Sequence, residues 1–138
     1  MKTRILLLTV MSWLLAGRAA DAQVIIVNRG VKLTEISKDA LRNIFLGVSE
    51  FYRDGGRAMP ATLKGGPVHE SFLKTYIGKS DAQLRAAWRA QVFAGHGTMP
   101  QAFDSEAALI EYVASVPGAI GYVSAPVKNE NIKLVTVQ

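Results

Sequence analysis

The chain has 138 residues, of which 49% are hydrophobic and 20% are charged, and its formal net charge is +5. It contains no cysteine, which excludes a disulfide framework, a thiolate metal site and a lipid-modified cysteine. Its basic residues are scattered, so the charge indicates a solvated surface with mild attraction for anions and argues against a nucleic-acid-binding patch.

The N-terminal segment has the three parts of a secretory signal peptide. Lys2 and Arg4 precede an apolar run over residues 5–15, and Ala20 and Ala22 form a small-x-small cleavage pattern. The run is about half of the roughly 20 residues that a membrane-spanning helix needs. We therefore predict a signal peptide over residues 1–22, and one periplasmic domain over residues 23–138 with no second hydrophobic span. Three basic and one acidic residue leave with the signal, which lowers the net charge to +3.

The first half of the mature chain predicts a strand, a helix and a loop. Residues 24–27 are β-branched and predict a buried strand. Ser37 is suited to cap a helix over residues 38–46, which turns Leu41, Ile44 and Phe45 to one face, and Gly47 is suited to end it. The sequence Asp-Gly-Gly at residues 54–56 predicts a turn.

The middle of the chain predicts a strand followed by two helices. Residues 59–63 form a short strand candidate, which Pro60 would confine to a sheet edge or a strand start. Pro67 opens a helix that ends at Gly78, with an apolar stripe made of Val68, Phe72, Leu73, Tyr76 and Ile77. Ser80 and Gln83 form a capping box for the next helix, which we expect to run through Leu84, Trp88 and Val92 to Gly95.

The last third of the chain completes an alternation of strands and helices. Asp104 or Ser105 caps a helix with Leu109, Tyr112, Val113 and Val116 expected inward, and Pro117-Gly118 stops it. Residues 119–123 and 132–137 are strand candidates. We expect an α/β fold with a mixed sheet flanked by helices, in which residues 24–27 and 120–123 are neighbouring central strands.

The side chains that invite a catalytic or metal-binding interpretation lack the patterns those sites need. His69 stands beside Glu70, but neighbours on a helix point about 100° apart and do not readily share a metal ion. His96 lies in a glycine loop, and no paired metal-ligand or nucleophile motif is present. The sequence therefore predicts surface or loop-packing histidines, no cofactor and no enzymatic activity. The aromatic residues at helical spacing are core candidates, whereas Phe51 and Tyr52 either cap the core or line a cleft.

One segment has the chemistry of an anion site. Residues 64–67 read Lys-Gly-Gly-Pro and lead from a strand into a helix. Glycines allow close backbone approach, the helix start presents unbonded N–H groups, and Lys64 adds positive charge. A plain strand-to-helix turn needs glycine for the same steric reasons, so both interpretations stay open. Glu70 opposes anion binding, because a carboxylate in the first helical turn already satisfies the helix dipole.

Two segments resemble the phosphate-binding proteins of phosphate ABC transporters, which are two-lobed type II periplasmic binding proteins. Residues 41–47 read LRNIFLG and resemble the family's I-(F/Y)-L-G-K helix end. Residues 117–123 read PGAIGYV and match a family segment of that sequence. The resemblance covers nearly the whole mature chain but only about half of the family length. It implies a single lobe of that fold.

The resemblance also implies where a ligand would bind. The family's R-x-D-G-S-G-T-S phosphate loop falls on residues 64–71, where this chain reads KGGPVHES. Lys64 keeps the positive charge of the arginine without its bidentate fork, Gly66 replaces the aspartate, and Ser71 alone is unchanged. The expected anion site therefore comprises Lys64, Gly65, Gly66, His69 and Ser71, with Thr98 added by analogy from the later glycine loop.

Two hypotheses of function follow. The first is a periplasmic, non-catalytic protein related to phosphate-binding proteins that holds a small oxyanion such as phosphate weakly. The second is an interaction module of the cell envelope, in which the face of a lone lobe binds another copy or a different envelope protein.

Overall fold

The computed structural model describes residues 23–138, so the predicted signal peptide lies outside the described residues. Strands β1 (Val24–Asn28), β2 (Glu35–Ile36), β3 (Met59–Leu63), β4 (Gln101–Phe103), β5 (Ala119–Val123) and β6 (Ile132–Val137) form the sheet. The α-helices are α1 (Lys38–Phe45), α2 (Pro67–Phe72), α3 (Asp81–Phe93) and α4 (Glu106–Ser115). A π-helical turn, Leu73–Ile77, continues α2. Among the described residues, no helix combines the length and apolar character needed to cross a bilayer.

The six strands form one mixed sheet in the order β2-β6-β1-β5-β3-β4. β1 pairs antiparallel with both β5 and β6, and β3 pairs parallel with β5 and β4. Val27 is opposite Ile120 and Val24 is opposite Val123, which confirms that these two segments are neighbouring central strands. The predicted α/β class with a mixed sheet flanked by helices is confirmed.

Helices cover both faces of the sheet, and successive side chains of β5 point to opposite faces. Gly121 faces α4, where an added Cβ would lie 2.7 Å from Leu109 Cδ2. Tyr122 points to the other face, where its ring stacks on Phe72 at 3.8 Å and lies 6.0 Å from Phe45. All five residues of β5 are buried, so this strand is the centre of the core.

The predicted helix starts and stops are confirmed at most positions. Ser37, Ser80 and Ser105 each accept a hydrogen bond from a backbone N–H in the first turn, and Ser80 and Gln83 form the predicted capping box. Gly47 and Gly78 adopt positive φ at helix ends. The helix that begins at Pro67 does not continue as a regular α-helix, because its second half is the π-helical turn.

Several side chains depart from the expected burial. α3 ends at Phe93, before the predicted end at Gly95, and Val92 near that end is 39% exposed. Tyr112 and Val116 are only half-buried, whereas Leu109 and Val113 are fully buried. Tyr52 caps the core and donates a hydrogen bond to the Gly118 carbonyl at 2.6 Å, while its neighbour Phe51 is 53% exposed.

Pro60 was predicted to lie at a sheet edge or at the start of a strand, and it lies at the start of a strand. β3 is an inner strand between β5 and β4, but β4 pairs only with the segment that begins at Ala61. Pro60 is opposite Ile120 on the other side. The proline therefore occupies the start of the strand, before the β4 ladder begins, where a missing N–H donor removes no hydrogen bond to β4.

Candidate functional site

The candidate site comprises the turn between β3 and α2 and the first two residues of α2, residues 64–68, which we call the glycine turn. The N–H of Lys64 bonds the Phe103 carbonyl of β4 at 2.9 Å, so the turn leaves the sheet at the ends of two parallel strands. Gly66 is the N-cap of α2, with φ +94°, and Pro67 is the first helical residue. Because L side chains rarely adopt this φ, Gly66 is required by its backbone conformation.

The helix start offers hydrogen-bond donors to the surroundings. The first backbone bond of α2 joins the N–H of Glu70 to the Gly66 carbonyl at 3.0 Å. No side chain caps this helix. The N–H groups of Val68 and His69, at the second and third helical positions, consequently have no intrahelical acceptor. Gly65 and Gly66 are exposed, and an added Cβ at either would meet nothing within 4 Å. The surface beside these donors is open to a small ligand.

Two cations border the glycine turn, and both already contact carboxylates. Lys64 Nζ lies 3.2 Å from Asp104 Oδ1, in an exposed ion pair. Arg85 of α3 bonds Asp81 Oδ2 through Nε at 2.8 Å and reaches the Lys64 carbonyl through Nη2 at 3.4 Å. Glu70 is exposed in the first turn of α2. Three carboxylates therefore surround two cations at this site, which lowers the attraction for an anion.

His69 does not contribute its side chain to the glycine turn, and the expectation that it would is corrected. The residue is 1% exposed, and its ring lies between β5 and α3. Nδ1 bonds the hydroxyl of Tyr122, and Nε2 lies 2.8 Å from Asp81 Oδ1. The third position of α2 turns toward the sheet, so only the backbone N–H of His69 remains at the helix start. His69 is thus a buried core histidine, and neither a surface nor a loop residue.

Burial and hydrogen bonding set the ionisation of the groups around His69. Burial raises the pKa of Asp81, but the hydrogen bonds from His69 and Arg85 and the charge of Arg85 outweigh it, and the pKa of that carboxyl lies below its ordinary value. Burial, together with the charge of Asp81, raises the pKa of Tyr122 far above its ordinary value, although the hydrogen bond from Leu63 acts in the opposite direction. At neutral pH, Asp81 is a carboxylate and Tyr122 is a neutral phenol that can donate a proton.

The remaining predicted site residues lie in different places. Ser71 is half-buried on α2, one turn beyond Pro67. Thr98 lines a cavity of about 110 Å³ together with Met59 and Pro60 at the start of β3. Because Thr98 precedes β4 and Lys64 follows the parallel strand β3, the two residues stand at opposite ends of these strands. The structure therefore does not bring Thr98 to the glycine turn.

Two features of the site were not visible in the sequence pattern. Asp104 contacts Lys64 although the two are 40 positions apart in the sequence, and Arg85 contacts the Lys64 carbonyl from 21 positions away. The only local signal was the i, i+4 spacing of Asp81 and Arg85, which is typical of an ordinary surface pair. Within residues 23–138, no group of three or more acidic, histidine or cysteine side chains is placed to hold a metal ion.

Comparison with known proteins places the fold. No protein-family model and no curated protein matches the chain. The chain is similar to the solved structure of a phosphate ABC transporter substrate-binding protein with bound phosphate from Clostridium perfringens, with a TM-score of 0.67 and 14% identity over 85% of this chain. An ABC-type phosphate transport receptor from Vibrio cholerae superimposes with a TM-score of 0.55 and 13% identity, also over 85% of this chain.

The chain spans 45% and 46% of the lengths of these two structures. At this level of identity the likeness concerns the fold alone. The chain therefore shares its fold with part of each of these two structures, in agreement with the fold that the sequence resemblance implies.

Proposed function

We propose that this chain is an exported, non-catalytic protein that binds a small oxyanion such as phosphate weakly at the glycine turn. The observation that carries the proposal is the conformation of residues 64–68. Gly66, at φ +94°, leads into an uncapped helix start, Lys64 stands two residues before it, and the guanidinium of Arg85 reaches the Lys64 carbonyl. Backbone donors with nearby cations form a common arrangement for binding phosphate and sulfate.

The fold supports the choice of ligand. One structural neighbour holds phosphate, and its fold is shared over 85% of this chain. The glycine turn stands where the sequence resemblance puts that family's phosphate loop. We further propose that the chain acts as a single lobe, and that residues 1–22 direct it to the periplasm and are removed there.

The charges around the site support weak rather than tight binding. Lys64 must leave or share its contact with Asp104, since the two groups lie 3.2 Å apart. Glu70 repels an oxyanion from the first turn of α2. The bidentate arginine that the resemblance would place at position 64 is replaced by lysine, which acts as a point charge and does not fix the orientation of the ligand.

The proposal is tested by titrating three variants with phosphate at low ionic strength in a calorimeter. We expect Lys64→Ala to weaken binding because it removes a cation, and Glu70→Thr to strengthen it because it removes a repulsive carboxylate. Each change is on the order of 1 kcal/mol, or roughly fivefold in Kd, at the dielectric of a protein surface. Lys74→Ala is the matched control, because Lys74 is exposed on the π-helical turn beyond α2 and carries the same charge.

Equal affinity of Lys64→Ala and wild type would contradict the proposal, as would the absence of binding even in Glu70→Thr. In that case the interaction-module hypothesis becomes the better account. The exposed side chains that such a module would offer to a partner include Phe93 at the end of α3, which is 96% exposed, and Met99, which is 46% exposed. Light scattering on the same samples distinguishes the two, because an interaction module acting through its own copies is expected to form dimers.

A further inference from the structure

A single hydroxyl group contacts the chain on both sides of the glycine turn. The hydroxyl of Tyr122, in β5, accepts the N–H of Leu63 at 2.9 Å, and it also bonds His69 Nδ1. Leu63 is the last residue before the turn, and His69 is the first residue after it. The two ends of residues 64–68 are thus attached to the same oxygen atom.

The protons of this network can be assigned from the groups whose roles are fixed. The Asp81 carboxylate only accepts, so with a single proton on the His69 ring that proton lies on Nε2 and Nδ1 is an acceptor. The Tyr122 hydroxyl then donates to Nδ1 while it accepts the N–H of Leu63. The Nε2–H of His69 then donates to Asp81 Oδ1 at 2.8 Å. Asp81 Oδ2 accepts from Arg85 Nε, and Arg85 Nη2 donates to the Lys64 carbonyl. Because Leu63 and Lys64 are consecutive residues, these hydrogen bonds close a circuit at the first residue of the glycine turn.

Tyr122 is held in place by the core. It is 0% exposed, and its ring stacks on Phe72 with an interplanar angle of 8°. His69 lies beside it, with ring centroids 6.0 Å apart. A phenol packed in this way cannot follow a moving loop, so its hydroxyl is a fixed point against which the turn is positioned.

We propose that Tyr122 is a positioning residue, which together with His69 and Asp81 holds the glycine turn in its anion-binding conformation before any anion arrives. The inference depends on the proposed function for its ligand, although the positioning of the turn can be measured without one. A loop that is already ordered loses little entropy on binding, so release of the turn lowers affinity without any change of charge at the site.

The test uses Tyr122→Phe, which removes only the hydroxyl, with Tyr112→Phe as the matched control. Tyr112 is half-buried and packs against Phe103. Amide hydrogen exchange is measured by NMR at Lys64 and Glu70, whose N–H groups bond Phe103 and Gly66. We expect about tenfold faster exchange at both amides in Tyr122→Phe and phosphate affinity weaker by about three- to tenfold, with neither effect in the control.

A spectroscopic readout tests the proton assignment directly. The ¹⁵N shifts of the His69 ring report whether Nδ1 is unprotonated in wild type, as the circuit requires. Asp81→Asn, at the half-exposed end of the circuit, serves as a second variant if Tyr122→Phe folds poorly, and it should change exchange at Lys64 in the same direction.

Three results would overturn the inference: wild-type exchange at Lys64 and Glu70 in both variants, a protonated Nδ1 in wild-type His69, or faster exchange with unchanged phosphate affinity. Absence of phosphate binding to wild type is a different result. It would contradict the proposed function, and with it the anion-binding part of this inference, whatever the exchange rates show.

Discussion

Replacement of Gly118 by alanine is expected to destabilise the protein by about 3–5 kcal/mol, or to prevent folding. Gly118 has φ +80°, and an added Cβ would lie 2.1 Å from the backbone oxygen of Arg57. Backbone atoms cannot rotate away as a side chain can. The Gly118 carbonyl also accepts the N–H of Met59 at 3.0 Å and the Tyr52 hydroxyl at 2.6 Å, so any shift disturbs the start of β3 and a core tyrosine.

Urea unfolding followed by circular dichroism measures this effect, and Gly55→Ala is the matched control. Gly55 also has a positive φ, of +91°, but its added Cβ would meet nothing within 4 Å. The control should therefore lose only the roughly 1–2 kcal/mol that a left-handed backbone costs alanine. If the two variants are equally stable, the contact between residues 57 and 118 is looser than the structure shows.

Replacement of His69 by leucine is expected to cost about 2–4 kcal/mol of unfolding free energy, although leucine is apolar and close in size. The substitution leaves the Tyr122 hydroxyl without an acceptor inside the core and removes a donor from the Asp81 carboxylate. His96→Leu is the control, because His96 is exposed in the loop after α3, and its stability should stay within about 0.5 kcal/mol of wild type.

The double variant His69→Leu with Tyr122→Phe gives the sharper outcome. Because both partners of one hydrogen bond are then apolar, the loss should be smaller than the sum of the two single losses. Strict additivity would show that the two residues do not interact, which would contradict the described network.

The contribution of this network also depends on pH. The pKa of Asp81 is lower in the folded chain than its ordinary value, so ionised Asp81 stabilises the fold above its unfolded pKa. That stabilisation is lost as the pH falls through the lower, folded pKa. The stability difference between wild type and His69→Leu should accordingly be largest near neutral pH and should narrow in acid.

Local signals in the sequence predicted most of the fold. Ser37, Ser80 and Ser105 cap helices through short-range hydrogen bonds, and Gly47 and Gly78 end helical segments by their own backbone conformation, so each signal is complete within a few residues. The strands of two or three residues, β2 and β4, were not predicted because such lengths show no periodicity. β2 forms by pairing with β6 and β4 forms by pairing with β3, and neither pairing can be predicted from the local sequence.

The candidate site was predicted only as far as its backbone. The turn over residues 64–68 follows from two glycines and a proline, whereas its side-chain environment is built by distant partners. The sequence expectation for His69 was wrong because its partner Tyr122 lies 53 positions away and does not show in the local pattern. The burial itself had a local signal, since His69 stands three and four residues before Phe72 and Leu73 and so shares the apolar face of the helix. Thr98 was assigned to the site by analogy with a family loop. Because β4 is parallel to β3, Thr98 lies at the end of these strands opposite to Lys64.

The central claim is that an oxyanion binds at the glycine turn, and an NMR titration of the ¹⁵N-labelled domain with phosphate tests it most directly. Sodium chloride at matched ionic strength serves as the reference. The account predicts saturable shifts of the Gly65, Gly66, Val68 and His69 amides, with little change at Thr98. Phosphate shifts that match those caused by chloride, or saturable shifts confined to the loop around Thr98, would contradict it.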